Sequence, residues 1–257
     1  MSSIQSDIDI SKAYKNYLYE LKSYLYRLTC DKEIANDIAQ DTFIKVIEKQ
    51  NQFIGKSSIK TWIFSIATNL AIDWLRKRKR WSETAQDEAK ALAQSDPTYR
   101  TAFLEISQNS SNGTFDFKEH INFCFTCVSK TLVIEQQVTL ILKDIYEFKI
   151  SEISKILSSP KGTIKHWLFS ARKTMTEIFD RRCALVNKEG VCYQCSELNG
   201  LFNPKQRKLE NVFPIGDKGK LYELRAKLVK VINPLCSNGS ELENSIMQVL
   251  RKAIIDK

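Results

Sequence analysis

Apolar residues recur at helical spacing along almost the whole chain, and this pattern most narrows the folds open to it. Between about residues 10 and 29, for example, Tyr14, Leu21, Leu25 and Leu28 fall on one face of a helix. Only eight glycines and five prolines interrupt the 257 residues, and strand-like alternation is scarce. The pattern therefore predicts an all-α protein with two small helical domains, a flexible linker between them and a mostly helical C-terminal extension.

Shifts in composition divide the chain into four segments. A stretch rich in Ser, Gln, Asn and Asp separates two helical segments and predicts a linker with one short helix. The last segment opens with cysteines and glycines and predicts two amphipathic helices, near 218–232 and 240–255. The predicted segments are the first domain 1–81, the linker 82–118, the second domain 119–182 and the extension 183–257.

The charge balance favours a polyanionic partner, because lysine and arginine exceed the acids and give a net charge of +9. No N-terminal run is typical of a signal peptide, and no stretch approaches the roughly 18 apolar residues of a membrane span. We therefore expect a cytoplasmic protein without membrane insertion. The two histidines, His120 and His166, have no serine elbow or glycine-rich phosphate loop nearby, so an enzyme is not expected.

A proline and a glycine break the helical pattern between Ser158 and Thr163. Ile150 to Leu157 forms a one-sided helix, which Pro160 should end, and Thr163 is a candidate cap for the next helix. Residues 161–182 then carry six Lys or Arg and two acids. The arrangement predicts a helix-turn-helix whose second helix enters a DNA major groove. On the residues alone, an ordinary αα-hairpin with a solvated basic face stays open.

Two separate stretches resemble bacterial RNA polymerase sigma factors of the extracytoplasmic-function (ECF) group. Residues 152–157 and 162–172 resemble the helix-turn-helix of their region 4. In the first half, residues 37–43 resemble the D-x-x-Q-x-x-F of region 2.2, and Phe53 with residues 59–76 resembles regions 2.3 and 2.4. The resemblance implies that 1–81 is region 2, that 119–182 is region 4, and that the chain directs core RNA polymerase to promoters and initiates transcription. It implies core polymerase and promoter DNA as partners, and it admits an anti-sigma factor.

The resemblance also assigns roles to residues. Region 2 would bind the polymerase clamp helices and hold the melted −10 element, while region 4 would read the −35 element. His166 and Trp167 stand where the family has serine and arginine, which changes the expected −35 base preference. The expected polymerase-binding residues are Asp37, Gln40 and Asp41; the −10 residues are Lys56, Ser57, Lys60, Asn69, Asp73, Arg76, Lys77 and Arg80; the −35 residues are Lys161, Thr163, Lys165, His166, Trp167 and Arg172.

Asn69, Asp73, Arg76, Lys77 and Arg80 follow helical spacing and are expected as one stripe. A solvated helix face is the alternative for Asp37, Gln40 and Asp41, and a solvated basic helix end is the alternative for residues 76–80. Trp62 and Phe43 are expected in the core rather than at a contact.

The seven cysteines pose a separate question. His120, Cys124 and Cys127 have the spacing of half a zinc site, and Cys192 with Cys195 forms a second half, with Cys183 nearby. A structural zinc site, a thiol sensor and simple reduced thiols all stay open, although no cofactor is required for the expected function. Cys30 and Cys236 are expected in the core.

Two other functions remain alternatives. One is a one-component helix-turn-helix regulator that binds duplex DNA unaided and responds to metal or oxidants through its cysteines. The other is a zinc-stabilised interaction protein without DNA contacts. Binding to core polymerase separates a sigma factor from both.

Overall fold

In the computed structural model, the described residues are 10–85, 117–183 and 218–236, with single positions between 87 and 97 and between 247 and 251. The predicted helical class is confirmed in these ranges. Most of the predicted linker, much of the extension, Cys192 and Cys195 lie outside the described residues. The helices are α1 (Ile10–Thr29), α2 (Lys32–Glu48), α3 (Ile59–Arg76), α4 (Phe117–Ser129), α5 (Ile134–Leu140), α6 (Ile150–Ile156), α7 (Lys161–Arg182) and α8 (Lys218–Val231).

The first three helices pack against one another around a mainly apolar interior. Leu21, Leu25, Ile63 and Phe64 are completely buried there, because they share the inward faces of α1 and α3. The Asp31 carboxylate accepts hydrogen bonds from the backbone N–H of Glu33 and Ile34 and so caps α2. Ser58 caps α3 in the same way by accepting from the N–H of Thr61 at 3.1 Å. Side-chain caps therefore fix the starts of α2 and α3, and buried apolar faces orient α1 and α3, near the predicted positions.

Helix α5 runs into a π-helical turn, Ile141–Ile145, and is followed by α6 and α7. Helix α7 begins at Lys161, and the N–H of Ile164 donates to the carbonyl of Pro160 at 3.0 Å. The prediction that Thr163 caps this helix is therefore wrong. Proline tolerates the position just before the first turn, because the missing N–H would have no helical partner there.

The chain forms two compact units that differ from the predicted domains. The first unit contains residues 1–78 and 134–168, and the second contains residues 79–133 and 169–257. The segment from α5 to the start of α7 belongs to the first unit because the Tyr146 and Phe148 rings pack against Tyr24 and Phe64. The boundaries at 81, 118 and 182 stay predictions about functional modules.

In the second unit, α4 packs against α8. The Phe125 ring lies 6.4 Å from Phe179 and 6.2 Å from Tyr222. The Arg225 guanidinium lies over the Phe179 ring at 4.3 Å. The predicted helix near 218–232 is confirmed by α8, while the one near 240–255 lies mostly outside the described residues.

Candidate nucleic-acid interface

The acidic face of α2 is exposed as predicted. Asp37, Gln40 and Asp41 all point outward, while Ile38 and Ala39 are buried beneath them. These three polar side chains lie within one and a half helical turns and offer hydrogen-bonding groups to a partner. A partner could bind them without burying a long aliphatic side chain. The structure therefore brings these three residues together, and polymerase binding by them stays a prediction.

The loop before α3 contains two of the predicted −10 residues, Lys56 and Ser57. Gly55 adopts a φ of +72°, which side-chain-bearing residues rarely adopt, so glycine sets the course of this loop. Lys56 is exposed and Ser57 is half-buried. Trp62 is half-buried rather than in the core, and its ring lies 5.1 Å from Phe53. The loop thus carries an exposed cation, and a pair of packed aromatic rings flanks it in the sequence.

Lys60, another predicted −10 residue, is held within the first unit. Its ammonium lies 2.6 Å from a Glu20 carboxylate oxygen. It also lies 5.6 Å from the centre of the Phe64 ring and 5.0 Å from that of Phe148. A cation over aromatic faces and beside a carboxylate is well stabilised where it is. The sequence analysis predicted that Lys60 contacts the −10 element and identified none of these partners.

The predicted stripe on α3 is present but shorter than expected. Asn69, Asp73, Arg76 and Lys77 are all exposed. Helix α3 ends at Arg76, so Arg80 cannot continue the stripe at helical spacing, and that part of the prediction is wrong. Arg80 is half-buried and donates to the Ser129 carbonyl at 3.3 Å in the second unit. Just beyond the helix end, the Arg78 guanidinium folds back on the last turn, donating to the Trp74 carbonyl at 3.1 Å and lying over its ring.

The predicted −35 residues lie along α7. Lys161, Lys165, His166 and Arg172 are exposed, while Thr163 and Trp167 are half-buried. The opposite face is buried through Ile164, Leu168, Ala171 and Met175, as their spacing predicted. The exposed residues thus occupy the outward side of one basic helix, and DNA binding by them stays a prediction.

Phe169 is exposed to 69% on α7 and was missed as a site residue. Its position among cations, out of phase with the buried residues, was the available signal. An exposed ring of this kind suits contact with a base or a thymine methyl group.

Helix α6 contacts both the loop before α3 and the first turn of α3, which the sequence analysis did not identify. The Thr61 hydroxyl donates to a Glu152 carboxylate oxygen at 3.3 Å. The Lys155 ammonium donates to the backbone carbonyl of Lys56. No spacing rule connects residues almost a hundred positions apart, so only the fold could reveal these two bonds.

Three tyrosine hydroxyls of the first unit have pKa values above the usual 10. Burial raises the pKa of Tyr14 to about 12. Burial also raises the pKa of Tyr24 and of Tyr146, against the opposing effects of their hydrogen bonds to Thr68 and Ser23. These hydroxyls therefore act as neutral hydrogen-bonding groups.

The cysteines of the second unit partly converge. Cys124, Cys127 and Cys183 line one pocket with Ile178 and Phe179. An Arg225 guanidinium nitrogen lies 3.1 Å from the Cys183 sulfur. Within the described part of the chain, however, no group of three or more His, Cys, Asp or Glu side chains is placed to hold a metal ion.

The remaining cysteine predictions have mixed outcomes. Cys30 is buried as expected, whereas Cys236 is exposed, so its prediction as a core residue is wrong. Its position in the turn after α8 removes it from that helix's apolar face. His120 belongs to α4, but its side chain lies outside the described part, as do Cys192 and Cys195.

The chain combines a three-helix bundle, which carries an acidic patch on α2, with a basic helix-turn-helix formed by α6 and α7. This combination is typical of helical proteins that bind nucleic acid. Residues 13–81 match the family model described as Sigma-70 region 2. The chain is 31% identical over 172 residues to RNA polymerase sigma factor YlaC of Bacillus subtilis, which covers 65% of this chain and 92% of that protein. It is 30% identical over 175 residues to ECF RNA polymerase sigma factor SigW of the same organism, covering 65% and 85%.

Among solved structures, the chain is similar to the sigma factor RpoE of Bartonella quintana in complex with the anti-sigma factor NepR. The identity is 23% and the TM-score 0.47, over 67% of this chain and 97% of that one. On the sequence relationships, the chain belongs to the ECF group of the sigma-70 family of RNA polymerase sigma factors. No described helix is both long and apolar enough to cross a membrane.

Proposed function

We propose that this sigma factor binds core RNA polymerase through the acidic face of α2 and directs it to promoters through two DNA contacts. Asp37, Gln40 and Asp41 would bind the polymerase. The loop around Lys56 and the α3 stripe would hold the melted −10 strand, since phosphate contacts and a base pocket offset the cost of unstacking. Helix α7 would read the −35 element in the major groove.

The observation that carries this proposal is the outward display of both surfaces on folded helices. The acidic patch and the basic face of α7 are exposed, while the opposite sides of the same helices are buried. If both surfaces were merely solvated, acidic and basic side chains would not need to be sorted onto two different helices. The family membership supplies the partner to which each surface corresponds.

The proposed role leaves all chemistry to the polymerase, so the chain itself would catalyse no reaction. It would act in the cytoplasm, where the polymerase transcribes DNA. An anti-sigma factor is a further proposed partner, as the resemblance of the sequence to the ECF group implies.

Co-purification with core RNA polymerase tests the proposal. The full chain should form a complex with core enzyme and should drive transcription from its promoter only in that complex. Substituting Asp37 and Asp41 by alanine should weaken polymerase binding, whereas the same change at Asp180 on α7 should not. A chain that ignores core enzyme yet binds intact duplex sites alone would instead be the one-component regulator.

For the cysteines we propose a structural zinc ion held by Cys192, Cys195 and Cys183, with Cys124, Cys127 and His120 as further candidates. The support is the paired cysteine spacing in the sequence. Elemental mass spectrometry of the purified chain should find zinc, and Cys195→Ser should lower it. The exposed Cys236 offers the control substitution, and a zinc-free native chain would leave only reduced thiols.

A further inference from the structure

Helix α7 is buried along one side, and side chains from α4 and α8 contact the far end of that side. Phe179, near the C-terminal end of α7, is 3% exposed, and the Phe125 ring of α4 lies 6.4 Å from it. Phe125 in turn lies 6.2 Å from Tyr222 of α8, which belongs to the C-terminal extension. The exposed −35 candidates occupy the opposite side of α7, whose buried residues follow helical spacing: Ile164, Leu168, Ala171, Met175, Ile178 and Phe179. The extension therefore reaches the rear of the predicted reading helix.

Arg225 of α8 contacts two residues at this end of α7. The central carbon of its guanidinium lies 4.3 Å from the centre of the Phe179 ring, and one guanidinium nitrogen lies 3.1 Å from the Cys183 sulfur. Both contacts are buried, because Arg225 is 7% exposed and Cys183 is 5% exposed. A guanidinium is planar and its N–H groups point in fixed directions. The two contacts together therefore set the tilt of the ring and the position of the helix end.

The burial of a cation at this place is not explained by stability alone. Removing a guanidinium from water is costly, and an apolar side chain of similar volume often packs as well or better. Within the described part of the chain, the partners of Arg225 are a thiol and an aromatic ring, and no carboxylate pairs with it. A side chain with fixed donor directions is instead suited to holding two helices in one mutual orientation.

Two ion pairs also hold this end of α7. Arg181 pairs with Glu83, and Arg182 pairs with Asp87. These side chains are partly exposed, and ion pairs in contact with water constrain geometry only weakly. The buried contacts of Arg225 are therefore the ones that can keep the helix end in a single orientation.

From these contacts we infer that the C-terminal extension is part of the −35-reading module. Helix α8 supports the far end of α7 from behind, and Arg225 is the positioning residue that sets how α7 is presented to the major groove. Lys165 lies about 21 Å from Phe179 along the continuous helix α7, so a change of tilt at Phe179 is carried to the reading residues. The inference rests on the proposed function, because that function gives α7 its role.

This role predicts a particular kind of defect. Contacts with base edges depend on exact orientation, whereas phosphate contacts made by long, flexible cations tolerate a small tilt. A change at Arg225 should therefore reduce the discrimination between correct and incorrect −35 bases more than it reduces DNA binding in general. A residue that only stabilised the fold would lower transcription from every promoter alike.

The test uses the full chain in its complex with core polymerase and two templates, a −35-dependent promoter and the same promoter with substituted −35 bases. Arg225→Met fills similar space but removes the donor groups. It should lower the ratio of the two transcription rates roughly fivefold, as expected when one base contact is weakened, while affinity for core polymerase stays unchanged. Arg225→Lys retains a cation near the Phe179 ring and should give an intermediate ratio. Lys227→Met removes an exposed cation of the same helix and should leave the ratio at the wild-type value.

A change on the other side of the same contact provides a second measurement. Phe179→Leu keeps an apolar side chain but removes the ring face beneath the guanidinium, and it should also lower the ratio. Combined with Arg225→Met, it should lower the ratio no further than the stronger single change, because both variants remove one shared contact. Circular dichroism and melting temperature of each variant report whether the fold is retained.

The outcomes separate this inference from the proposed function. A wild-type ratio for Arg225→Met overturns the inference, and so does an equal loss of transcription from both templates, which would mean that Arg225 supports only the fold. Fully independent effects of Arg225→Met and Phe179→Leu would also contradict it. If the wild-type complex ignores the −35 bases, or if core polymerase does not bind the chain, the proposed function itself fails and Arg225 has no reading helix to position.

Discussion

The hydroxyl oxygens of Tyr24 and Thr68 lie 2.8 Å apart, in a bond that joins α1 to α3 inside the first unit. Both residues are completely buried. The bond matters because a buried hydroxyl has lost its hydrogen bonds to water. If its protein partner is removed, that loss is no longer compensated. It also fixes the rotation of α3, the helix that carries the predicted −10 stripe.

Replacing Thr68 by valine should destabilise the protein by about 1–3 kcal/mol, because the Tyr24 hydroxyl would lose its partner. Valine has nearly the same shape as threonine, so packing should change little. Urea unfolding followed by circular dichroism measures the effect. Tyr24→Phe combined with Thr68→Val should cost less than the sum of the two single changes, and strict additivity would show that the bond contributes nothing.

The Asp31 cap offers a second test, at the start of the helix that presents the acidic face. Asp31→Ala removes the acceptor for the N–H groups of Glu33 and Ile34 and should cost about 1 kcal/mol. Asp31→Asn keeps an acceptor oxygen and should restore most of that stability in the same unfolding assay. An asparagine variant as unstable as the alanine variant would mean that the carboxylate acts through its charge instead.

The sequence predicted several helices well because α2 and α3 begin with a local signal and the buried faces of α1, α3 and α7 follow helical spacing. Asp31 and Ser58 mark helix starts, and Ile164 with Leu168 marks a buried stripe, all readable within one or two turns. The same local rules failed at Arg80, where the helix ends four residues earlier than a continuous stripe requires.

What the sequence could not predict is the pairing of distant segments. The contacts of Phe148 with Phe64 and of Lys155 with Lys56 depend on how two separate stretches pack. Phe148 lies in the non-helical turn before α6, where no helical periodicity indicates which helix buries it. The candidate −10 surface was therefore predicted residue by residue, while its covering by α6 emerged only from the fold.

Alkaline pH should weaken the protein through Tyr14. Its hydroxyl donates to the Ala39 carbonyl, and burial raises its pKa from 10.0 to about 12. Between these values the unfolded chain releases the proton while the folded chain retains it. Stability is thus fully present below about pH 10 and falls as the pH rises toward 12.

Denaturant unfolding across this pH range measures that loss, and Tyr14→Phe provides the comparison. The variant should lose less stability between neutral and alkaline pH than the wild type, because phenylalanine cannot ionise. Tyr24 and Tyr146, whose pKa values are also raised, should keep part of the alkaline sensitivity in both proteins. Identical pH profiles for the two chains would show that Tyr14 titrates normally.

The basic face of α7 gives the most direct test of DNA reading. Lys165 and Arg172 are both exposed on this helix, so Lys165→Ala with Arg172→Ala should leave its buried face intact. Transcription from a −35-dependent promoter should be lost, while binding to core polymerase survives, because the acidic patch lies on α2. If each side chain contacts a phosphate, the salt dependence of duplex binding by the holoenzyme should fall by about 0.9 per contact removed.

The control must remove the same charge elsewhere. Lys149→Ala with Lys173→Ala deletes two exposed cations that have no assigned DNA role, and Lys173 has only an exposed pair with Glu177 at 3.9 Å. This control should retain most −35-dependent transcription, because a diffuse loss of two charges weakens long-range attraction without removing a groove contact. Equal losses in the two double variants would mean that α7 contributes general charge and reads no sequence.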